Sequence, residues 1–375
     1  MVQAFIAQQL FDGEQLHKDV ALIVDGGKVV SIGGTPAADA VRLQGLLAPG
    51  LIDVQVNGGG GALFNNDTSV NALGKMSAAH ARFGTTGFMP TLITDQVDVM
   101  QKAADAVSAA LKEGVPGVLG VHFEGPHLSA PKKGTHEECF IRPLSEEELA
   151  IYARDDLGLK MVTLAPENVS PEDIARLVSL GVKVCLGHSN ADGKTAAAAV
   201  AAGATGFTHL YNAMSPLHSR DPGMVGTALI SDDCWCGLIA DGHHVSAEAM
   251  TLALKAKPRG KIMLVTDAMS LVGSEERSFP LFSRTVTRHG DKLTSTTGEL
   301  AGSHLDMIGA VRNIREWCSV DLDEALRMAG LYPAEFLGSK GGRIAEGAAA
   351  DMILVNDDLQ VQKTWIGGQE VFTAG

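Results

Sequence analysis

The stretch "GLIDVQVNGGGG" (50–61) leads an apolar strand pattern into two amides, Gln55 and Asn57, and then into four glycines. Residues two apart on a strand face the same side, so both amides leave the strand end in one direction. Apolar runs of the same kind recur downstream: "TTGFMPTLIT" (85–94), "GVLGVHFEGP" (117–126), "MVTLAPE" (161–167), "VKVCLGHS" (182–189), "TGFTHLYNA" (205–213), "CGLIADGHH" (236–244) and "KIMLVTDAMS" (261–270). Between them lie stretches rich in Ala, Leu and Glu, with helices predicted over 95–113, 145–155, 171–180 and 192–202. Several of these open on a Ser or Asp cap or an early proline. Eight strands joined by crossover helices predict an α/β chain folded as a (β/α)8 TIM-like barrel, whose active residues sit at the C-terminal strand ends. A doubly wound sheet is the alternative, but no GxGxxG follows the first strand.

The two ends of the chain have a different texture. Residues 1–48 read as short strands with "DGE" and "DGGK" turns, and residues 343–375 have the same character. Together they are expected to form a small β-sandwich-like domain flanking a barrel at 49–342.

At 375 residues and 45% hydrophobic content, the chain can bury a large core. The opening "MVQAFIAQQLFDGEQ" has no basic segment followed by a long apolar one, and no run approaches about 18 uncharged apolar residues. A cytoplasmic location is therefore expected. The five cysteines are odd in number and lack CxxC spacing, which argues against a disulfide framework or a zinc ribbon. A formal charge of −14 excludes nucleic acid and anionic membrane as natural partners. Any anionic ligand then needs a local cationic pocket.

The polar residues at the predicted strand ends carry the functional reading. "HFEGPH" puts Glu124 at the end of strand three, "LGHSN" puts His188 at the end of strand five, "THLYNAM" puts His209 at the end of strand six, and "VTDAMS" puts Asp267 at the end of strand eight. One carboxylate and two imidazoles suit Zn²⁺ or Fe²⁺ and leave positions open for water and substrate. Asp267 is the spare carboxylate, and His122 points the same way as Glu124 along strand three.

These segments, with "HFEGPHLSAPKKGTH", "GFTHLYNAMSPLHSRDPGMVG" and "ADGHHV", closely resemble the N-acetylglucosamine-6-phosphate deacetylases of the amidohydrolase superfamily across essentially the whole chain. The resemblance implies hydrolysis of an N-acetyl amide on a phosphorylated amino sugar, assisted by one divalent transition metal per chain, Zn²⁺ before Fe²⁺, on Glu124, His188 and His209. Asp267 would act as general base and then general acid, and His136 would support the developing oxyanion. Asn212, the Ala213 N–H, Arg220 and His244 would hold the phosphate, with Arg220 supplied by the neighbouring subunit of a homodimer. Leu300–Ser303 would add an apolar wall beside the acetyl group. The superfamily's usual HxH pair is here Gln55 and Asn57, which are poor ligands for a borderline-soft ion. A second metal site should therefore be weak or absent, and the two amides should bond water, a ligand residue or the sugar.

Two other readings stay open. One is another amidohydrolase, acting on a related acylated amino sugar or a cyclic amide; dihydroorotase-like and dipeptidase-like enzymes normally need HxH and often a carboxylated lysine at the end of strand four, where this chain has "LAPE". A non-catalytic barrel used as a scaffold would have no physical need for the three ligands and Asp267 together.

Overall fold

The computed structural model describes residues 2–35 and 39–375. Residues 1 and 36–38, part of the predicted N-terminal β unit, lie outside the described residues.

Eight parallel strands follow one another around a barrel: Leu51–Val56, Thr85–Ile93, Gly120–Glu124, Leu159–Leu164, Val182–Leu186, Gly206–Phe207, Trp235–Ile239 and Ile262–Val265. The ring closes between its first and last members. A parallel bridge joins Val56 to Ala268, and the Asp267 N–H donates to the Gln55 carbonyl at 3.0 Å. The buried Asp53 carboxylate fastens the same seam, accepting the Gln55 N–H at 3.1 Å, the Thr266 N–H at 3.3 Å and the Thr266 hydroxyl. The first strand is buried at every residue, as a strand covered on both faces must be.

Helices run Val97–Glu113, Glu146–Tyr152, Pro171–Ser179 and Gly193–Ala201 where the sequence predicts them. Their ends have local causes. Ser170 and Asp192 accept the N–H groups of Asp173 and Thr195, and Gly114, at φ 72°, ends the longest of the four.

The chain ends pair into one seven-stranded sheet. Its order is Gln369–Thr373, Val361–Ile366, Met352–Val355, Val41–Pro49, Gln3–Phe11, Leu16–Asp25 and Lys28–Ile32. The sheet curls over on itself, since Lys28 bridges Ala349 and Gln3 Nε2 donates to the Gly368 carbonyl at 2.8 Å. Leu10, Leu22, Leu47, Met352 and Trp365 fill the enclosed core. Gly50 turns the chain from this sheet into barrel strand one; a Cβ there would stand 1.9 Å from Thr86 Oγ1, so no larger residue fits.

Two features depart from the sequence reading. Strand six is expected over 205–213 but spans only Gly206–Phe207, because His209, Tyr211 and Ala213 take positive φ values of 32°, 80° and 49°. The reading also assigns no strand between 271 and 300. There the structure has a three-stranded antiparallel insert, Ser278–Leu281, Arg284–His289 and Lys292–Ser295. Its signal was the alternation in "RTVTRHGDKLTS" around a "HGDK" turn. Among the described residues no helix is long and apolar enough to cross a membrane.

Candidate active site and metal centre

Strands three, five, six and eight deliver Glu124, His188, His209 and Asp267 to one mouth. A cavity of about 180 Å³ there is lined by all four, together with Asn57, His136, Asn212, Ala213 and His244. His188, His209 and Asp267 sit at φ 47°, 32° and 54°, where the chain breaks from strand geometry. Such conformations are costly for residues with a side chain and concentrate at functional sites.

The donor set fits a small divalent ion. Glu124 Oε1 lies 3.0 Å from His209 Nε2 and 3.3 Å from His188 Nε2, and the two imidazole nitrogens are 3.0 Å apart. Metal–ligand bonds of about 2.0–2.1 Å in tetrahedral geometry require donor separations of roughly 3.3 Å. These three atoms are thus spaced close to one face of such a tetrahedron. His188 Nδ1 is 2.8 Å from the Lys132 carbonyl, which can only accept, so Nδ1 carries the proton and Nε2 presents its lone pair to the centre. Burial alone would raise the Glu124 carboxyl, but the bonds to His188 and His209 hold it well below the ordinary range. Burial disfavours a charged His209, yet the Glu124 contact outweighs it and raises the imidazole.

Gln55 and Asn57 are tied to the acidic residues. Gln55 Nε2 donates to Glu124 Oε1 at 3.0 Å and approaches Asp267 Oδ1 at 3.3 Å. Asn57 Nδ2 donates to the same Asp267 oxygen at 2.6 Å. Burial first, and then the Glu124 charge, raise the Asp267 carboxyl to about 6. The glycines that follow allow close approach: a Cβ on Gly59 would stand 2.7 Å from His80 Nε2.

His136 is buried against the cluster, its ring 4.4 Å from that of His188. His136 Nδ1 stands 2.8 Å from the Thr94 hydroxyl and 3.3 Å from the Thr94 N–H; the N–H can only donate, which assigns Nδ1 as the acceptor and puts the hydrogen on Nε2. Burial, helped by His188, lowers this imidazole to about 3, so it is a neutral donor at ordinary pH. His122 lies deeper in the barrel, between the Thr91 and Thr163 hydroxyls at 3.1 and 2.8 Å. It does not touch the cluster.

In the same cavity, His244 rather than His243 faces inward. Asp241 Oδ2 holds its Nδ1 at 2.6 Å, whereas His243 turns outward to Asp291. Asn212, Ala213, Leu300 and Gly302 complete the lining. Arg220 is exposed, lies outside this cavity, and has no ion pair or hydrogen bond within the described chain. The sequence reading missed Asp241, Thr94, Ile93 and Met269; the first was signalled by an Asp three residues before His244 in "ADGHH". A larger groove of about 610 Å³ lies at the opposite end of the barrel, lined by Lys257–Ile262 and Cys318–Tyr332 residues. Two of its cations pair with carboxylates of the same groove, Arg259 with Glu324 and Arg327 with Asp323, and Lys257 donates to the Ala228 and Ser231 carbonyls.

Comparison with known proteins gives the family. Residues 46–371 match the model of the amidohydrolase family. The chain is 45% identical to an N-acetylgalactosamine-6-phosphate deacetylase of Shewanella sp. (strain ANA-3), over 96% of this chain and 98% of that one. It is 36% identical to an N-acetylglucosamine-6-phosphate deacetylase of Vibrio furnissii, over 99% and 95%. The crystal structure of N-acetylglucosamine-6-phosphate deacetylase from Pasteurella multocida superposes with a TM-score of 0.95 at 36% identity, covering 99% of each chain. With whole-length likeness in sequence and structure, and a carboxylate–imidazole cluster at the barrel mouth, the chain belongs to the amidohydrolase family, among its amino-sugar 6-phosphate deacetylases.

Proposed function

We propose that the protein hydrolyses the N-acetyl amide of N-acetylglucosamine 6-phosphate, giving glucosamine 6-phosphate and acetate in amino-sugar breakdown or recycling. The observation that carries this reading is the convergence of Glu124, His188 and His209 within 3.3 Å of one another, beside a second carboxylate held by neutral amides. Glu124, His188 and His209 would hold one divalent transition metal, Zn²⁺ before Fe²⁺. When bound, such an ion lowers the pKa of water and polarises a carbonyl.

The chain's own residues account for the proton traffic. Asp267 takes a proton from the attacking water through Oδ2, since Oδ1 is occupied by Asn57 and Gln55. It then returns that proton to the leaving nitrogen as the C–N bond breaks, so the neutral amine departs and acetic acid remains, which gives up water's second proton to solvent and becomes acetate. His136 donates its Nε2–H to the carbonyl oxygen as negative charge develops there. His244, oriented by Asp241, lines the same cavity as Asn212 and Ala213, and these residues would hold the phosphate. A neutral Asn donates without adding charge, whereas an arginine fork gives bidentate binding.

Arg220 stands exposed in its own chain. We infer that it reaches the phosphate of a neighbouring subunit in a homodimer. The same reading takes 49–342 as the catalytic barrel, 1–48 and 343–375 as its supporting β unit, and the cytoplasm as the location. A second substrate reading, the galactosamine epimer, is favoured by the 45% identity to a galactosamine-type relative. Acetate release from the two epimers, assayed side by side with metal-loaded protein, tests both. Failure to release acetate from either would overturn the assignment.

A further inference from the structure

The three-stranded insert touches both loops that carry the outer histidines of the site. On one side the Phe282 ring meets Phe140 at 5.9 Å, and an Arg284 nitrogen stands 3.7 Å from Glu137 Oε2, on the residue next to His136. That Glu137 oxygen is buried and accepts no hydrogen bond among the described residues. Arg284 is therefore the charge that compensates it. A second Arg284 nitrogen stands 3.9 Å from Glu299, on the segment that returns to Leu300 and Gly302 in the cavity wall. On the opposite side Asp291, in the insert's last turn, bonds His243 Nε2 at 2.9 Å, on the residue before His244.

The insert itself is firmly seated. Phe279, Leu281, Val286 and Leu293 pack with Ile93 and Met269, and the last two also line the cavity. Asn66 donates to the Pro280 carbonyl at 2.9 Å, and Arg288 pairs with His304 at 2.8 Å. The His136 loop has other anchors on its inner side. Thr94 meets His136 Nδ1, and Arg142 donates to the Phe140 and Asp95 carbonyls. Among the described contacts, the insert supplies the outer side.

We propose that the insert is a clamp across the barrel mouth, in which Phe282 and Arg284 are positioning residues for His136 and Asp291 is a positioning residue for His244. The inference rests on the deacetylase reading for the roles of the two histidines. A donor displaced by a fraction of an ångström from the developing oxyanion loses much of its effect, so rigid support from outside the site has a kinetic consequence. The two sides of the clamp act on different quantities. His136 meets charge that appears only in the transition state, whereas His244 meets a phosphate already present in the ground state.

The test uses the full-length, metal-loaded enzyme and the variants Phe282→Ala, Arg284→Ala, Arg284→Lys and Asp291→Ala. It measures kcat, KM for N-acetylglucosamine 6-phosphate, and amide hydrogen exchange. Phe282→Ala and Arg284→Ala are expected to lower kcat about tenfold with KM within about twofold, and to speed exchange in 133–140. Arg284→Lys keeps the charge and should recover most of kcat. Asp291→Ala is expected to raise KM about threefold with kcat nearly unchanged, and to speed exchange in 241–244 alone. Phe282→Leu replaces the alanine variant if that one fails to fold. Unchanged exchange in both loops, or kcat and KM moving alike in every variant, overturns the clamp. Absence of acetate release by the unmutated enzyme counts against the deacetylase reading instead, and the exchange data then decide on the clamp alone.

Discussion

Asn57 Nδ2 donates to Asp267 Oδ1 at 2.6 Å, joining the end of barrel strand one to the end of strand eight inside the site. Gln55 reaches the same oxygen at 3.3 Å and Glu124 Oε1 at 3.0 Å, so one neutral amide bridges two buried carboxylates and a second braces Asp267. Each amide lowers the cost of holding like charges together without adding a charge of its own. The arrangement also leaves Asp267 Oδ2 without a hydrogen bond among the described residues, as a proton acceptor requires.

Asn57→Leu should therefore lower kcat by about 10- to 150-fold, equivalent to the roughly 1.5–3 kcal/mol of a hydrogen bond to a charged group. Metal content should stay at the unmutated level, because Glu124, His188 and His209 are untouched. A near-normal kcat with normal metal content would show that the 2.6 Å contact does not position the base.

Asp267 must be ionised to accept a proton. Burial and the Glu124 charge raise its carboxyl to about 6, and a cation bound at Glu124 would draw it back down, so about 6 is an upper limit for the acid limb of activity. Below the inflection, kcat/KM should fall about tenfold per pH unit. The stability sign is separate. A carboxyl raised in the folded state keeps its proton more readily there, so its contribution to stability is fully present below about pH 4 and is lost as pH rises towards 6. Asp267→Asn should abolish the acid limb and cost about 10²–10⁴ in turnover while retaining the metal. A pH–rate profile with its acid inflection above 7 would contradict the assignment.

The barrel was legible because its strands are apolar runs at regular spacing, and Glu124, His188, His209 and Asp267 could be placed because each ends such a run. The same periodicity overextended strand six. It counts side chains and is blind to the backbone reversal at His209, Tyr211 and Ala213, whose φ values are positive. The insert escaped because its strands are short and carry Arg, Thr and Lys on their outer faces. Asp241 escaped for another reason: its role is to orient His244, and a residue that acts through a neighbour leaves little trace in strand-end counting.

Arg220→Ala tests the subunit interface. The side chain is exposed and has no partner among the described residues, so the substitution should cost little stability. If it reaches a neighbour's phosphate, KM for the phosphorylated sugar should rise by about 10- to 150-fold, the roughly 1.5–3 kcal/mol of a charged hydrogen bond. The unphosphorylated sugar should be barely affected. Sedimentation of the unmutated protein should give a dimer. Equal effects on both sugars would place Arg220 away from the phosphate.

Gln55 and Asn57 also bear on how many ions the chain holds. Glu124, His188 and His209 form the one group of three or more metal-capable residues found among the described residues, so the purified protein should retain close to one tightly bound transition metal per chain. The double variant Gln55→His, Asn57→His puts two imidazoles on one face of strand one, beside Glu124 and Asp267, which the native amides now contact. Imidazoles are far better donors to a borderline-soft ion than amides, so capacity should rise towards two. Activity need not follow, because the substitution also removes the donors that hold Asp267 Oδ1. Metal quantification after dialysis, with His188→Ala as a control that should lose the first ion, decides the matter. Two firmly held ions in the unmutated protein would show that the amides do not empty the second site, and full retention in His188→Ala would remove the ligand set on which the mechanism rests.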